Sequence, residues 1–364
     1  MRKSLWKRKG GWSAVAGVAV ASVALAACGS SDDAGDGGSA TGKRGGKVTI
    51  ATYGGKTEDV MKAVYFTPEF KARTGISMSF DAPLDYAKLQ TQVESGNIQW
   101  DMTSGDPYMA IAQCGTVFAK IRSDPAMFKE KYRDVVGDCV LPRDAGSFIK
   151  AYNAKTFADD PPSSWADFFD VEKYPGKRAV PSFYYNGIIE GALLADGVAP
   201  EDLYPLDLDR AFKKMDSIRG DLLVYNTLAQ SIQQQVSGDV AMGIYTDSAA
   251  WQAADAGATI EPIWDQAFIY INLWTVTEGT PNRAAVDQVI NYVLNPRLQT
   301  EAAEMWPVSP ALKDAKQPRY PNELFKKYSL AVPEHEEVAI PFDQQWYADN
   351  YEELNQRFTA WISG

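Results

Sequence analysis

Between residues 47 and 106 the chain alternates strand and helix signals, and that rhythm restricts the fold more than any other feature. Lys47-Val48-Thr49-Ile50-Ala51-Thr52 reads as a strand that ends at Tyr53-Gly54-Gly55. A helical stretch through Val60, Met61, Val64 and Tyr65 follows. A second starts at Thr67-Pro68, where proline suits the first turn, and stops at Gly75. Ile76-Ser77-Met78-Ser79-Phe80 alternates as a strand does. Another helix over 86–94 leads to Trp100-Asp101-Met102-Thr103, a third strand ending at Ser104-Gly105-Asp106. Strand, helix, strand is the pattern of a parallel α/β sheet.

The pattern returns later. Leu208, Ala211, Phe212, Met215 and Ile218 form one apolar helix face, capped by Asp207 and stopped by Gly220. Val240-Ala241-Met242-Gly243-Ile244-Tyr245 reads as a buried strand. Asn282 caps a helix whose face carries Val286, Val289, Ile290, Val293 and Leu294, and Pro296 marks its end. The stretch 346–362 is amphipathic and helical. No short internal repeat is present, so a solenoid is not expected.

The start of the chain says where this fold must work. Arg2, Lys3, Lys7, Arg8 and Lys9 precede an apolar run over 12–27 that closes on Leu25-Ala26-Ala27-Cys28. A basic opening, a short apolar segment and small residues at the cut make a secretory signal. The run is too short to span a bilayer, which takes about 20 apolar residues. Leu-Ala-Ala-Cys resembles a bacterial lipobox, whose cysteine is acylated and becomes the mature N-terminus. Residues 1–27 are therefore expected to be the signal and Cys28 the lipid anchor. Residues 28–46 are Gly-, Ser- and Asp-rich and read as a flexible tether. The rest is expected outside the cytoplasm, on the outer face of the cytoplasmic membrane.

The formal net charge is −11 at pH 7, although the opening stretch contributes only basic residues. An acidic surface argues against nucleic acid and against anionic headgroups. Apart from Cys28 the cysteines are Cys114 and Cys139, an even pair suited to an oxidising compartment. Their disulfide would close a loop of about 25 residues and contribute roughly 3–4 kcal/mol. Two cysteines and one histidine make a poor zinc shell. That histidine, His335, lies in Pro333-Glu334-His335-Glu336-Glu337 and reads as part of an exposed loop. Histidine-based triads and His-rich metal sites thus lack material.

Several stretches converge on one family. Tyr53-Gly54-Gly55, Thr74-Gly75-Ile76 and Val93-Glu94-Ser95-Gly96-Asn97-Ile98-Gln99-Trp100-Asp101 resemble the first lobe of solute-binding proteins of ABC importers, spermidine/putrescine type. Ser164-Trp165-Ala166-Asp167-Phe168-Phe169-Asp170 with Tyr174-Pro175-Gly176-Lys177-Arg178 is similar to the same family. So are Ala192-Leu193-Leu194-Ala195-Asp196-Gly197-Val198 and Asp202-Leu203-Tyr204-Pro205-Leu206-Asp207. Gly279-Thr280-Pro281-Asn282 matches the return to the first lobe, and the paired cysteines resemble a subgroup. The resemblance covers most of 47–310. It implies a two-lobed, type II periplasmic-binding-protein-like α/β fold, each lobe a mostly parallel sheet flanked by helices, with the solute in the cleft between. On that reading 47–152 and 264–364 make lobe 1, and 153–263 make lobe 2. An ABC permease and its ATPase are the implied partners, a monomer is expected, and neither cofactor nor enzymatic activity is implied.

Ligands of such folds gather where strand C-termini face a crevice. Those ends supply Tyr53, Asp106, Tyr152, Tyr184, Tyr245, Asp247 and Tyr270, and Asn272 follows. Aromatic faces and carboxylates together cage an ammonium. A polyamine is the family default. Against it, Tyr270-Ile271-Asn272 carries an amide where polyamine receptors carry an aspartate. Phe183-Tyr184-Tyr185-Asn186-Gly187 likewise stands where they carry acids. A diamine needs an anion at each end, because an unpaired buried ammonium is costly. Asp247 serves one end and no second acid presents itself. A zwitterion such as 4-aminobutyrate, or an opine, therefore stays open. The Tyr184-Tyr185 pair also resembles the phenolate ligands of ferric-ion receptors, but no further iron ligand lies near in sequence. Three readings remain: the receptor, a secreted glycoside hydrolase using two carboxylates, and an adhesive lipoprotein. Asp247 is expected in a water-filled cleft, and hinge rotation about a few extended segments is expected to close the lobes.

Overall fold

The computed structural model describes residues 45–364; the expected signal, Cys28 and nearly all of the tether lie outside them. Eleven strands follow in chain order. β1 is Gly46–Ala51, β2 Ile76–Asp81, β3 Met102–Thr103, β4 Phe118–Ala119, β5 Leu141–Asn153 and β6 Arg178–Pro181. β7 is Leu222–Tyr225, β8 Met242–Thr246, β9 Ile260–Thr277, β10 Ser309–Pro310 and β11 Ile340–Pro341.

They join in the order β2-β1-β3-β9-β5-β8-β6-β7. At one end β2, β1 and β3 are parallel. At the other end β7, β6 and β8 are parallel. Between the two trios run β5 and β9, antiparallel to each other and to the strand each one meets. Two parallel sheets thus hang from one long antiparallel ribbon. The α/β, two-lobed expectation holds.

Local chemistry explains the elements. Thr67 accepts from the Phe70 amide to open the helix Pro68–Thr74, and Gly75 closes it at φ 71°, a left-handed conformation glycine adopts freely. Asp207 caps Leu208–Met215 as expected, accepting from the Arg210 amide. Asn282 precedes its helix, Arg283–Val293, without capping it through the side chain. Its amide instead donates to Asp101 Oδ1 at 3.0 Å, where Thr280 Oγ1 also donates at 2.6 Å. Asp101 Oδ2 accepts the Thr49 amide, so one buried carboxylate ties β1 to the end of β9.

Two further expectations differ. Pro296 does not merely end a helix; it opens the next, Pro296–Met305, behind an Asn295 cap. His335 lies in a short helix, Pro333–Val338, not a loop, because its ring stacks on Trp264 at 4.1 Å and its Nδ1 meets the Ser329 carbonyl. The last helix, Gln344–Ile362, packs on Pro107–Ala112, where Tyr347 meets Tyr108, and it also reaches residues 203–219. Arg357 pairs with Asp209, Trp361 Nε1 donates to Asp216 and Arg219 donates to the Trp361 carbonyl. Its apolar face buries Tyr347, Leu354, Phe358 and Trp361 in one cluster with Leu203, Met215 and Ile218. Cys114 and Cys139 are joined by a disulfide.

Candidate functional site

Two carboxylates stand at strand ends in the two halves. The first, Asp106, follows β3 and precedes the helix Pro107–Ala112 without capping it through its side chain. Its Oδ2 instead accepts from Tyr53 Oη at 2.5 Å and from Tyr86 Oη at 3.1 Å. The Asp106 amide donates back to Tyr86 Oη at 2.7 Å. Gly105 permits this approach: a Cβ there would lie 2.5 Å from Tyr86 Oη. Burial pushes the Asp106 carboxyl up, and the two phenol bonds offset only part of that. Tyr53 stays 56% exposed.

The second, Asp247, follows β8 and is fully buried. Its Oδ2 accepts the Ser147 amide at 2.9 Å and its Oδ1 the Ser248 amide at 2.6 Å. Tyr270 Oη lies 3.5 Å from Oδ1. Burial pushes this carboxyl well above its usual range, and the neighbouring Asp144 charge adds to it. The water-filled surroundings expected for Asp247 are thus corrected, because strand β5 covers it and supplies the Ser147 amide.

Arg143 and Asp144 on β5 lie between the two carboxylates, tied to Ser104 on one side and Asn272 on the other. Arg143 is 2% exposed; its Nε donates to Asp144 Oδ2 at 2.6 Å and its Nη1 to Ser104 Oγ at 2.8 Å. Asn272 Nδ2 donates to Asp144 Oδ1 at 2.7 Å. Asn272 therefore faces an acid already in the fold, which an aspartate there would repel.

Aromatic rings form the remaining wall. Tyr108 meets Tyr184 at 5.9 Å and Tyr185 at 5.1 Å between ring centres. Tyr347 stacks near-parallel to Tyr184 at 6.3 Å and edge-on to Tyr185 at 5.1 Å. Behind them Glu190 is fully buried and accepts from Tyr347 Oη and Tyr204 Oη at 2.7 and 2.8 Å. Burial holds the Tyr184 phenol up at about 12, and Tyr185 well above its ordinary value, so neither is a ready phenolate. Among the described residues no group of three His, Cys, Asp or Glu side chains is placed to hold a metal ion.

The structure brings Tyr53 to Asp106, and Tyr270 and Asn272 to Asp247 and Asp144. Tyr184 joins the aromatic wall. Tyr245 and Tyr152 are placed elsewhere. The Tyr245 ring stacks on Tyr225 inside the apolar core, and its hydroxyl has no partner. Tyr152 lies eight residues beyond Asp144 on one strand, roughly 26 Å at ~3.3 Å per residue, opposite Glu261. Sequence reasoning missed Tyr86, Tyr108, Arg143, Asp144, Glu190 and Tyr347. Adjacent charges in an otherwise apolar strand, Leu141-Pro142-Arg143-Asp144-Ala145, were the available signal.

Residues 67–331 match the family described as bacterial extracellular solute-binding protein. The chain belongs to that family. The gamma-aminobutyric acid-binding protein of Pseudomonas aeruginosa is 30% identical over 327 residues, 87% of this chain and 91% of that one. The solved Atu4243-GABA receptor superposes with a TM-score of 0.77 at 30% identity, over 87% of this chain and 98% of that one. The spermidine/putrescine-binding periplasmic protein of Escherichia coli is 20% identical over 183 residues, 50% of this chain and 51% of that protein. This solute-binding protein is the substrate-binding component of an ABC transporter and belongs to an exported, extracellular or periplasmic family. Its homologues are receptors that hand small solutes to a permease, and such receptors are not enzymes.

Proposed function

We propose that the protein captures an ω-amino acid of the 4-aminobutyrate type and delivers it to its permease. The observation that carries this reading is the breadth of the likeness. A gamma-aminobutyric acid-binding relative matches across nine-tenths of its own length, while the spermidine/putrescine relative matches across half. The cleft chemistry agrees with it. A zwitterion needs one anionic and one cationic reader, and Arg143 lies between Asp106 and Asp247. In this reading the polyamine default gives way to the zwitterion, with Tyr53, Tyr184 and Tyr270 shaping the ammonium cage. Closure is by rotation about β5 and β9, and Cys28 carries the lipid that keeps the receptor near its permease.

Calorimetric titration of the exported protein with 4-aminobutyrate, putrescine and spermidine tests the reading. Saturable one-to-one binding of 4-aminobutyrate, at least about tenfold tighter than either polyamine, is expected; tenfold corresponds to about 1.4 kcal/mol. Tighter binding of putrescine or spermidine overturns it. Mass spectrometry of the mature N-terminus tests the anchor, and an unmodified Cys28 refutes it.

A further inference from the structure

We propose that Arg143 reads the carboxylate of the captured solute, with the Tyr65 hydroxyl as a second donor; this rests on the ω-amino acid reading above. The guanidinium is held rather than free. Nε is spent on Asp144, and Nη1 on Ser104 with the Met61 sulfur 3.9 Å away. The plane lies over the Trp274 ring, 5.0 Å from its centre. Nη2 alone makes no protein hydrogen bond among the described residues, where Nε and Nη1 both do.

Two more donors are idle in the same place. The Tyr65 hydroxyl and Trp274 Nε1 are both buried without a partner. Their rings meet edge-on at 5.8 Å, and the Tyr65 phenol feels the charges of both Asp144 and Arg143. Buried donors in native proteins nearly always find an acceptor. Two idle donors beside a guanidinium with one nitrogen unspent describe a place that lacks an acceptor. A carboxylate fits it, since a fixed guanidinium fork is built for planar oxyanions. A diamine brings only donors and satisfies none of them. Ser104, which positions Nη1, stands two residues before Asp106, so the carboxylate reader adjoins an ammonium reader. That arrangement selects a molecule charged at both ends.

The test compares three probes by calorimetry: 4-aminobutyrate, its neutral carboxamide, and n-butylamine. Wild type is expected to prefer 4-aminobutyrate over the carboxamide by about thirtyfold or more, the worth of a charge-assisted pair. Arg143→Lys keeps a charge for Asp144 but loses the fork, and should shrink that preference to about threefold or less. Butylamine affinity should not change. Tyr65→Phe removes a hydroxyl that has no partner, so folding is secure, and it should weaken 4-aminobutyrate severalfold while sparing butylamine. If both variants keep the wild-type preference, or weaken all three probes alike, Arg143 is only a structural ion-pair partner and the proposal falls. Should Arg143→Lys fail to fold, an unchanged preference in Tyr65→Phe is enough to overturn it. A wild type that binds butylamine but ignores 4-aminobutyrate overturns the ω-amino acid reading and this subsite together. One that binds 4-aminobutyrate with an unaltered preference in the variants overturns the subsite alone.

Discussion

Asp106 and Asp247 are the same residue type at comparable places, just past the inner strand of each parallel trio, yet they are held differently. Asp106 is held by phenols on side chains that can turn away, one of them more than half exposed. Asp247 is held by backbone amides of β5 and of its own helix start, under full burial. Both carboxyls are pushed up because burial outweighs the bonds they accept. Among the described residues neither is paired with a cation. A buried carboxylate short of a counter-charge is a place where a cationic group gains most. The difference lies in the consequence of losing each one: Asp106 can exchange partners, while Asp247 is part of the sheet.

The largest expected effect concerns the brace behind Asp106. The disulfide joins Cys114, just beyond the helix that Asp106 precedes, to Cys139, just before β5. Cys114→Ser with Cys139→Ser should lower unfolding stability by about 3 kcal/mol, the loop-entropy value for a closure of this size. Affinity for 4-aminobutyrate should fall far less, since Asp247 lies outside the braced loop. Denaturant titration alongside calorimetry checks both halves. An affinity loss as large as the stability loss would mean that the Asp106 side dominates binding.

Next comes Asp247→Asn. Loss of a charge-assisted bond should weaken 4-aminobutyrate by ten- to a hundredfold, about 1.5–3 kcal/mol. Because Asp247 has a raised pKa in the fold, the ligand-free protein binds its proton more tightly than the unfolded chain does. Stability from this group is therefore fully present below the unfolded value near 3.9, and is lost as pH rises toward the folded value. Asp247→Asn should flatten that decline. Melting curves from pH 4 upward, without ligand, measure it; an unchanged slope would show that Asp247 is not the group responsible.

Much of this was legible in the sequence, for physical reasons. The parallel trios follow from apolar runs punctuated by Gly75, Gly96 and proline, which act locally and so can be read locally. Strand ends were readable for the same reason at Tyr53, Asp106 and Asp247, whereas Tyr270 falls in the middle of β9. Side-chain direction was not readable. Tyr245 and Asp247 are two residues apart, yet the phenol enters the apolar core while the carboxylate meets Ser147. Long-range partners were hidden as well. Lys150 on β5 is fully buried against Trp165 and the Asp265 carbonyl, and burial brings its amine down to about 7. The contacts of the last helix depend on which apolar cluster is open to it, and no local pattern records that.

Asp106→Asn sharpens the comparison at a smaller scale. Tyr53 and Tyr86 can rotate their hydroxyls and donate to the new amide oxygen, so the fold should be nearly indifferent. Affinity for 4-aminobutyrate should fall about three- to tenfold, roughly 1 kcal/mol, well short of the Asp247 effect. Parallel titrations of the two asparagine variants decide the order. A larger loss at Asp106 would reverse the roles assigned to the two carboxylates.

Tyr53→Phe should have the smallest effect, and it separates the ring from its hydroxyl. The hydroxyl donates to Asp106 at 2.5 Å, but Tyr86 donates to the same oxygen, and the half-exposed ring leaves room for water to replace the lost bond. The phenylalanine ring keeps the aromatic face, which attracts an ammonium by about 0.5–1 kcal/mol at an exposed position. Affinity should therefore change by no more than about two- to threefold in Tyr53→Phe. Tyr53→Ala should lose about that much again, because ring and hydroxyl go together. If Tyr53→Phe alone weakens binding as much as Asp106→Asn, the phenol is fixing the carboxylate in place. Asp106 would then resemble Asp247 in being held rather than offered, and the distinction between the two walls would disappear.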